Sequence, residues 1–191
     1  MLVFKDTILG LVASVQLSAN RMLKKGDWIV CDSHGVNGTV TDVSLTTVKV
    51  LNWDNSISTI PPYTLISDSF RNYQAMRDAG GRRVERSILI DLNTVRFLDR
   101  DELARLRERG RLDGIDTGKT SEMVNLHLLR LYLDNFIAHD SRVNASMLYM
   151  VRQMQPTDRG LPLQLYFFTH ATGWRDYERV QSDIFDHVYA I

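Results

Sequence analysis

The chain has 191 residues, with 23 Lys and Arg against 23 Asp and Glu, so its formal net charge is zero. Hydrophobic residues make up 44% and charged residues 24%, which is ordinary for a globular protein and excludes wholesale disorder. The charge balance argues against a protein that coats nucleic acid or an anionic membrane. The single cysteine, Cys31, excludes an internal disulfide, and no run approaches the ~20 apolar residues of a membrane-spanning helix. Composition alone therefore indicates a neutral, soluble, cytoplasmic protein.

A helix is predicted over residues 1–20, in a first segment of residues 1–22. Apolar residues are frequent there, but polar side chains such as Lys5, Asp6 and Gln16 interrupt them. The run is too short and too polar to span a bilayer, and it lacks the small-residue cleavage site of a signal peptide. We expect an amphipathic helix that packs on its own domain or on a partner.

Residues 27–60 change to short β-rich runs: DWIVCD, VNGTVTDV, TTVKVLNW and SISTIP. Turn signals such as the dipeptides NG and DN separate these runs. The regular spacing predicts a small antiparallel barrel of four or five strands, similar to the Sm fold, in a β domain of residues 23–70. The pair Pro61-Pro62 then stops strand pairing because proline has no N–H to donate.

The remainder, residues 71–191, predicts an α/β domain, with the boundary near a glycine-rich junction of sequence GGRR. The expected elements are a strand over 84–91, helices over 99–109 and 121–139, strands over 146–154 and 161–169, and a helix over 174–190. The order β-α-β-β-α is that of a ferredoxin-like split βαβ unit without its final strand. The predicted fold class is therefore α+β: a helix, an Sm-like β domain and a ferredoxin-like α/β domain.

Residue patterns that would carry catalysis or bind a metal are missing from the sequence. The five histidines show no HExxH and no paired ligand spacing, and Cys31 lies in a predicted strand without a partner constellation. Asp91 and Asp99 precede a predicted helix, where N-capping explains them. The AGGRR segment lacks the Lys-Ser/Thr of a phosphate loop and precedes a strand. We predict no enzyme activity, no metal and no cofactor.

Two binding alternatives stay open. The first concerns the arginines around the junction: Arg71, Arg82, Arg83 and Arg86. They fit a solvated linker with salt bridges, or anion attraction, or a subunit contact. The second is a stand-alone Sm-like module for RNA or protein. RNA is disfavoured, because residues 27–60 hold Lys49 as their one strong base against four aspartates, and an acidic barrel repels phosphate.

Several motifs resemble a known family when they are taken together. The runs are FKDTILGLVASVQL, KKGDWIV, GVNGTVTDVSLTTVKVLNWDNSISTIPPYTLI, SFRNY and GGRRVERSILID. In this order they resemble the small-conductance mechanosensitive channel family, and most closely its miniconductance branch. The ending GLPLQLYFFTHATGWRDYERVQSDIFDHV is similar to the same branch, so the resemblance covers nearly the whole chain.

The resemblance implies the cytoplasmic portion of a larger channel of the bacterial inner membrane. Such a channel opens on membrane tension and releases ions and solutes during hypo-osmotic shock. Seven copies would form a homo-oligomer around a water-filled vestibule, and helices N-terminal to this chain would contact the lipid bilayer. No nucleic-acid partner is implied.

The resemblance also assigns residues. The N-terminal helix would be a remnant of the pore helix, with Leu2 near an apolar seal that gates by dewetting. Lys5 and Asp6 would lie at the kink of that helix, where small members of the family often have glycine, so Asp6 departs from the pattern.

The resemblance also concerns the arginines near the junction and one loop of the α/β domain. Arg71, Arg82 and Arg83 would lie near side portals of the vestibule and bias ion entry. Residues 109–120 resemble an insertion and receive no role.

Overall fold

The computed structural model describes residues 3–116 and 123–191. The chain divides into two compact units, Met1–Asp78 and Ala79–Ile191. Within the described ranges, no helix is both long and apolar enough to cross a membrane. Helices and strands occur in both units, so the predicted α+β class is confirmed.

The first unit is built on a five-stranded antiparallel sheet. Its elements in chain order are α1 (Val3–Ala19), β1 (Trp28–Cys31), β2 (Val36–Val43), β3 (Val48–Asn52), β4 (Ile57–Ile60), α2 (Pro62–Ser67), β5 (Arg71–Asn72) and α3 (Gln74–Asp78). Consecutive strands β1 to β4 pair as neighbours, and β5 pairs back onto β1. The sheet thus has the antiparallel pairing and the strand number that the turn spacing predicts, and no β4–β5 pairing closes it into a barrel within the described ranges.

Alternation along β2 directs one side of the strand into the core. Val36, Gly38 and Val40 are buried, whereas Asn37 is exposed. The core of this unit consists of buried apolar residues from the helices and the strands: Leu17, Leu23, Ile29, Cys31, Val36, Val40, Val48, Val50, Ile60 and Leu65. Because Leu17 belongs to α1, the N-terminal helix is packed on its own domain.

Residues 71–78 lie in the first unit, although the sequence places them at the start of the α/β domain. The reason is backbone pairing: Arg71 pairs with Val30, and Asn72 pairs with Ile29. A two-residue strand carries no periodic signal of its own, so only the long-range pairing with β1 reveals it.

The second unit contains a three-stranded antiparallel sheet. Its elements in chain order are β6 (Arg82–Ile90), β7 (Phe97–Leu98), α4 (Arg100–Glu108), β8 (Met123–Val124), α5 (Asn125–His139), β9 (Met150–Gln153), β10 (Leu161–Thr169) and α6 (Trp174–Ala190). The central β10 is antiparallel to both neighbours, so β6 and β9 run parallel with α5 in their connection. This is the predicted split βαβ unit, and no fourth strand joins the sheet within the described ranges.

Helices α5 and α6 pack on one face of this sheet. The shared core consists of the following buried side chains: Val84, Leu126, Leu133, Ile137, Val143, Val151, Leu161, Leu163, Leu165, Phe167, Ile184, Phe185 and Val188. Tyr177 and Val180 pack against the same core. The last helix therefore buries one apolar face in this core.

Helix α4 begins with the cap that its sequence predicts. The Asp99 carboxylate accepts a hydrogen bond from the Glu102 amide at 2.7 Å, and the Asp99 amide donates to the Glu102 carboxylate at 3.1 Å. This reciprocal capping box satisfies backbone groups that the first helical turn leaves unpaired.

Two element starts differ from the sequence-based expectation. Helix α5 begins at Asn125 because Met123 and Val124 pair with β7 in a short ribbon. Strand β9 begins at Met150 because the Asn144 side chain organises a turn before it: its Oδ1 accepts hydrogen bonds from both the amide and the hydroxyl of Ser146. Hydrogen bonds between a side chain and the nearby backbone favour a turn at these residues, so the strand begins after them.

A small cluster of apolar side chains lies apart from the main core of the second unit. It joins α4, the ribbon and α5 through Leu103, Leu112, Met123 and Leu128. The predicted insertion, residues 109–120, contributes Leu112 to this cluster, and its positions 117–120 lie outside the described residues.

Candidate functional site

Helix α1 has two apolar stripes. Gly10, Ala13, Ser14 and Leu17 are buried at the i, i+3, i+4, i+7 spacing of one helical face. This face packs on α2 and the β core. The helix is therefore fixed on its own unit along one side.

The second stripe of α1 is exposed, although it is equally apolar. It consists of Ile8, Leu11, Val12 and Val15, which repeat at the same spacing and are 46–58% exposed. No charged residue occurs between positions 7 and 20. Adjacent apolar side chains left in water on one helix face are typical of a contact surface. We call these four residues the exposed stripe.

The predicted pore residues precede the exposed stripe. Leu2 lies outside the described residues, so its role as an apolar seal stays a prediction. Lys5 and Asp6 lie in the first turns of α1, which begins at Val3. The backbone there is helical, and the kink assigned to this position also stays a prediction.

Arg71 lies in β5 and belongs to a cluster of ionic groups on the first unit. Its Nη2 lies 2.5 Å from Asp32 Oδ2, and both side chains are exposed. In the same region His34 Nε2 lies 2.8 Å from Asp68 Oδ2, which also accepts a hydrogen bond from the Ser33 hydroxyl at 3.3 Å. The positive charge of Arg71 is thus partly balanced by acidic neighbours.

Arg82 lies on the helix-covered side of β6. Its Nη1 donates to the Thr172 carbonyl at 3.2 Å, and its Cζ lies 4.0 Å from the centre of the Tyr177 ring. Burial raises the pKa of the Tyr177 hydroxyl above its ordinary value. The Tyr177 hydroxyl donates to the Arg83 carbonyl at 3.0 Å, which ties α6 to β6.

Arg83 points to the opposite, open side of the same sheet. Its Nη1 lies 3.4 Å from Glu85 Oε2, and its Cζ lies 5.9 Å from the centre of the Tyr166 ring. Its side chain is 58% exposed. The structure therefore does not bring Arg82 and Arg83 together in one patch, although they are adjacent in the sequence.

A polar row on the open side of the sheet is absent from the sequence-based predictions. Arg152 Nε donates to Gln164 Oε1 at 2.8 Å, and Gln164 Nε2 lies 3.5 Å from Glu85 Oε1. With the Glu85–Arg83 pair, the row crosses β9, β10 and β6. The period-two alternation of β10 indicates that Gln164 faces away from the helices, but its partners on the neighbouring strands can be identified only from the strand register.

Residues examined for chemistry have structural partners. Cys31 is fully buried, with its Sγ 3.5 Å from the Ser33 hydroxyl. His127 Nδ1 lies 2.9 Å from the Arg130 guanidinium on the surface of α5. Across residues 3–116 and 123–191, no group of three or more His, Cys, Asp or Glu side chains is placed to hold a metal ion.

Comparison with known proteins shows similarity to one family. Residues 6–75 match the family model described as the β-domain of mechanosensitive ion channels. Two uncharacterised MscS family proteins, from two strains of Helicobacter pylori, are each 24% identical to this chain over 96% of its length. The chain spans only 29% of the length of these relatives.

Solved structures share the fold. The crystal structure of Helicobacter pylori MscS in a closed state superposes with a TM-score of 0.67 at 14% identity, over 98% of this chain and 59% of that chain. The cryo-EM structure of Arabidopsis thaliana MSL1 superposes with a TM-score of 0.66 at 14% identity, over 97% of this chain and 55% of that chain. The family resemblance deduced from the sequence motifs is confirmed, and the miniconductance branch stays a prediction.

Proposed function

Because this chain carries the β-domain of the MscS family of mechanosensitive ion channels, we propose that it is the cytoplasmic part of a channel that opens on membrane tension. The open channel releases ions and small solutes during hypo-osmotic shock. The membrane-spanning helices that sense tension belong to the rest of the protein. This part couples to the pore helix through α1 and filters the solutes that reach the pore.

The exposed stripe of α1 is the observation that carries this proposal. One face of α1 is locked onto the β unit, while Ile8, Leu11, Val12 and Val15 remain in contact with water. A helix that is apolar on both sides is suited to lie between two packed surfaces. In the assembled channel, a neighbouring copy or the membrane interface covers the exposed stripe and transmits movement between the pore and the β unit.

We further propose that seven copies assemble as a homo-oligomer at the bacterial inner membrane, with this part on the cytoplasmic side. Leu2 then lies near the apolar constriction, where a narrow apolar neck excludes water and ions until it widens. Lys5 and Asp6, in the first turns of α1, lie at the bend that joins this helix to the pore-lining segment.

The exposed arginines supply a means of selecting ions. Arg71 and Arg83 each have 58% of the side chain exposed, so their charges reach the surrounding water. Arg82, in contrast, is engaged with Tyr177 and the Thr172 carbonyl. Charges beside a water-filled portal raise the local concentration of counter-ions. We assign the attraction of anions mainly to Arg71 and Arg83.

Expression of the full-length protein in a bacterial strain without its own mechanosensitive channels tests the proposal. Cells that carry the protein should survive a sudden fall in osmolarity better than cells with the empty vector. Membrane patches should show currents that rise with applied suction. The absence of tension-activated current from a protein verified in the membrane would refute the proposed function.

Charge reversal tests the portal assignment separately. Arg71→Glu with Arg83→Glu should shift the reversal potential toward cation preference, while Arg159→Glu on an exposed turn serves as the matched control. Tension activation without any change in ion preference would leave the channel function intact and refute the role of these arginines.

A further inference from the structure

A cavity of about 320 Å³ lies in the second unit, between α4, the β7–β8 ribbon, α5 and the end of α6. Its volume is at the small end of the range for ligand pockets. From its lining we propose that it binds a single-chain anionic amphiphile, such as a fatty acid or an alkyl phosphate. The proposal concerns this unit alone and does not depend on channel activity.

The inner wall of the cavity is apolar. It is formed by leucines from β7, α4, the loop after α4 and α5: Leu98, Leu106, Leu112, Leu128 and Leu129. Leu112 and Leu128 are buried in the small cluster, and Leu98 and Leu106 pack against it. A wall of this kind favours a hydrocarbon chain, since each methylene removed from water contributes about 0.8 kcal/mol.

The rim of the cavity is cationic. Arg109 and Arg111 both line it, together with Ile191 at the end of the chain, and the described residues contribute no Asp or Glu side chain to the lining. No ion pair joins either guanidinium to a carboxylate among the residues that the structure describes. Arg111 Nη1 lies 3.5 Å from the Tyr132 hydroxyl, which is itself hydrogen-bonded to His187 Nε2 at 2.8 Å. Tyr132 thus places one guanidinium at the mouth of the cavity.

The apolar wall and the cationic rim together favour a ligand of a particular charge and shape. Guanidinium groups bind carboxylate and phosphate oxygens through paired N–H donors. A cationic amphiphile would meet like charge at the rim, and a small anion without a chain would leave the leucine wall unfilled. The best occupant therefore has one anionic head and one hydrocarbon tail. Carboxylate and phosphate heads share the chemistry that the rim recognises.

Binding to the 191-residue chain is measured by calorimetry with four probes: decanoate, decyl phosphate, decyltrimethylammonium and acetate. All are used below their micellar concentrations. We expect saturable binding of decanoate or decyl phosphate, with the stronger of the two identifying the head group. We expect decyltrimethylammonium and acetate to bind at least about tenfold more weakly. Equal binding of the cationic amphiphile, or no binding of either anionic amphiphile, would overturn the proposal.

Substitutions locate the site. Arg109→Gln with Arg111→Gln should weaken binding of the anionic amphiphile by about tenfold or more. Both arginines are exposed, so the fold should persist. Arg159→Gln removes an exposed arginine that does not line the cavity, and should leave the affinity unchanged. Leu106→Trp should block the cavity, with the amide NMR spectrum reporting the fold. If the arginine pair and Arg159→Gln weaken binding equally, the site is elsewhere and the proposal fails.

Discussion

Arg82 and Arg83 are neighbours in β6 but lie on opposite sides of the sheet. Arg82 stacks on the Tyr177 ring at 4.0 Å on the side covered by helices, whereas Arg83 pairs with Glu85 at 3.4 Å on the open side. Successive side chains of a strand alternate between its two faces, so adjacent residues cannot share a surface patch. One arginine therefore supports the packing of α6, and the other presents its charge to solvent.

This division predicts unequal effects on stability. Arg82→Ala removes a cation–π contact and a hydrogen bond to the Thr172 carbonyl, and should lower the free energy of unfolding by about 1–2 kcal/mol. Arg83→Ala removes an exposed ion pair and should lower it by less than about 0.5 kcal/mol. Urea denaturation followed by circular dichroism measures both values. Equal losses in the two variants would contradict the assignment of Arg82 to the packed side.

Gly38 is required by the close approach of β2 and β3. A Cβ at this position would lie 2.6 Å from Asn52 Cα, closer than a real Cβ atom comes to backbone. Gly38→Ala must therefore separate the strands, and it should lower the free energy of unfolding by about 2 kcal/mol or more.

Gly10 of α1 provides the matched control, because a Cβ there would meet nothing within 4 Å. Gly10→Ala should raise the free energy of unfolding by up to about 1 kcal/mol, since alanine favours the helix. Thermal denaturation of the two variants in parallel gives the comparison. A Gly38→Ala variant that is as stable as the unmodified chain would show that the strands can separate without cost.

Long periodic elements could be predicted from the sequence. The run LPLQLYFFT alternates strongly and forms β10 over the predicted residues 161–169, and the apolar spacing of the last helix matches α6 over 174–190. Each of these elements buries one whole face in the core, so the spacing of its apolar residues indicates the type of element and its buried side. The sequence also identifies α1, because its apolar residues repeat at helical spacing.

Short elements and cross-strand partners could not be predicted. The β7–β8 ribbon has two residues per strand, and its pairing joins Phe97 to Val124 across α4 and a loop. The partners of Gln164 come from two other strands, Arg152 from β9 and Glu85 from β6. Contacts between residues far apart in the chain depend on register, which single-sequence patterns do not contain.

The ionised carboxylate of Glu102 stabilises the start of α4, and this stabilisation is sensitive to acid. The hydrogen bond from Arg96, followed by the hydrogen bond from the Asp99 amide, lowers the pKa of Glu102 from about 4.5 to about 2. A lowered pKa in the folded chain means that the Glu102 carboxylate stabilises the fold above pH ~4.5. This contribution is lost as the pH falls toward 2. Carboxyl ¹³C NMR should therefore show a midpoint for Glu102 near pH 2.

Two variants test the cause of this shift. Arg96→Gln should move the Glu102 midpoint upward, because it removes the largest contribution. Arg100→Gln removes a positive charge from the same helix, and should move the midpoint far less because Arg100 does not contribute to the shift of Glu102. A Glu102 midpoint that is unchanged in Arg96→Gln would show that the capping box alone lowers the pKa.

The two stripes of α1 should separate folding from assembly. Leu17 is fully buried, so Leu17→Ala should lower the free energy of unfolding by about 2–5 kcal/mol. Val12 and Val15 are 48% and 55% exposed, so Val12→Asn with Val15→Asn should change it by less than about 1 kcal/mol. If a neighbouring copy covers the exposed stripe, this pair should nevertheless weaken the oligomer of the detergent-solubilised full-length protein, because the contact loses apolar surface.

Light scattering with mass determination measures the assembly. Gln16→Ala, at an exposed polar position of the same helix, should keep the mass of the unmodified oligomer. The Val12/Val15 pair should shift the population toward smaller species while the melting temperature of the 191-residue chain stays nearly constant. An oligomer that keeps its mass and its tension response with two asparagines in the exposed stripe would show that this surface of α1 is not a subunit contact. The stripe would then have to be covered by lipid at the membrane interface or remain in water.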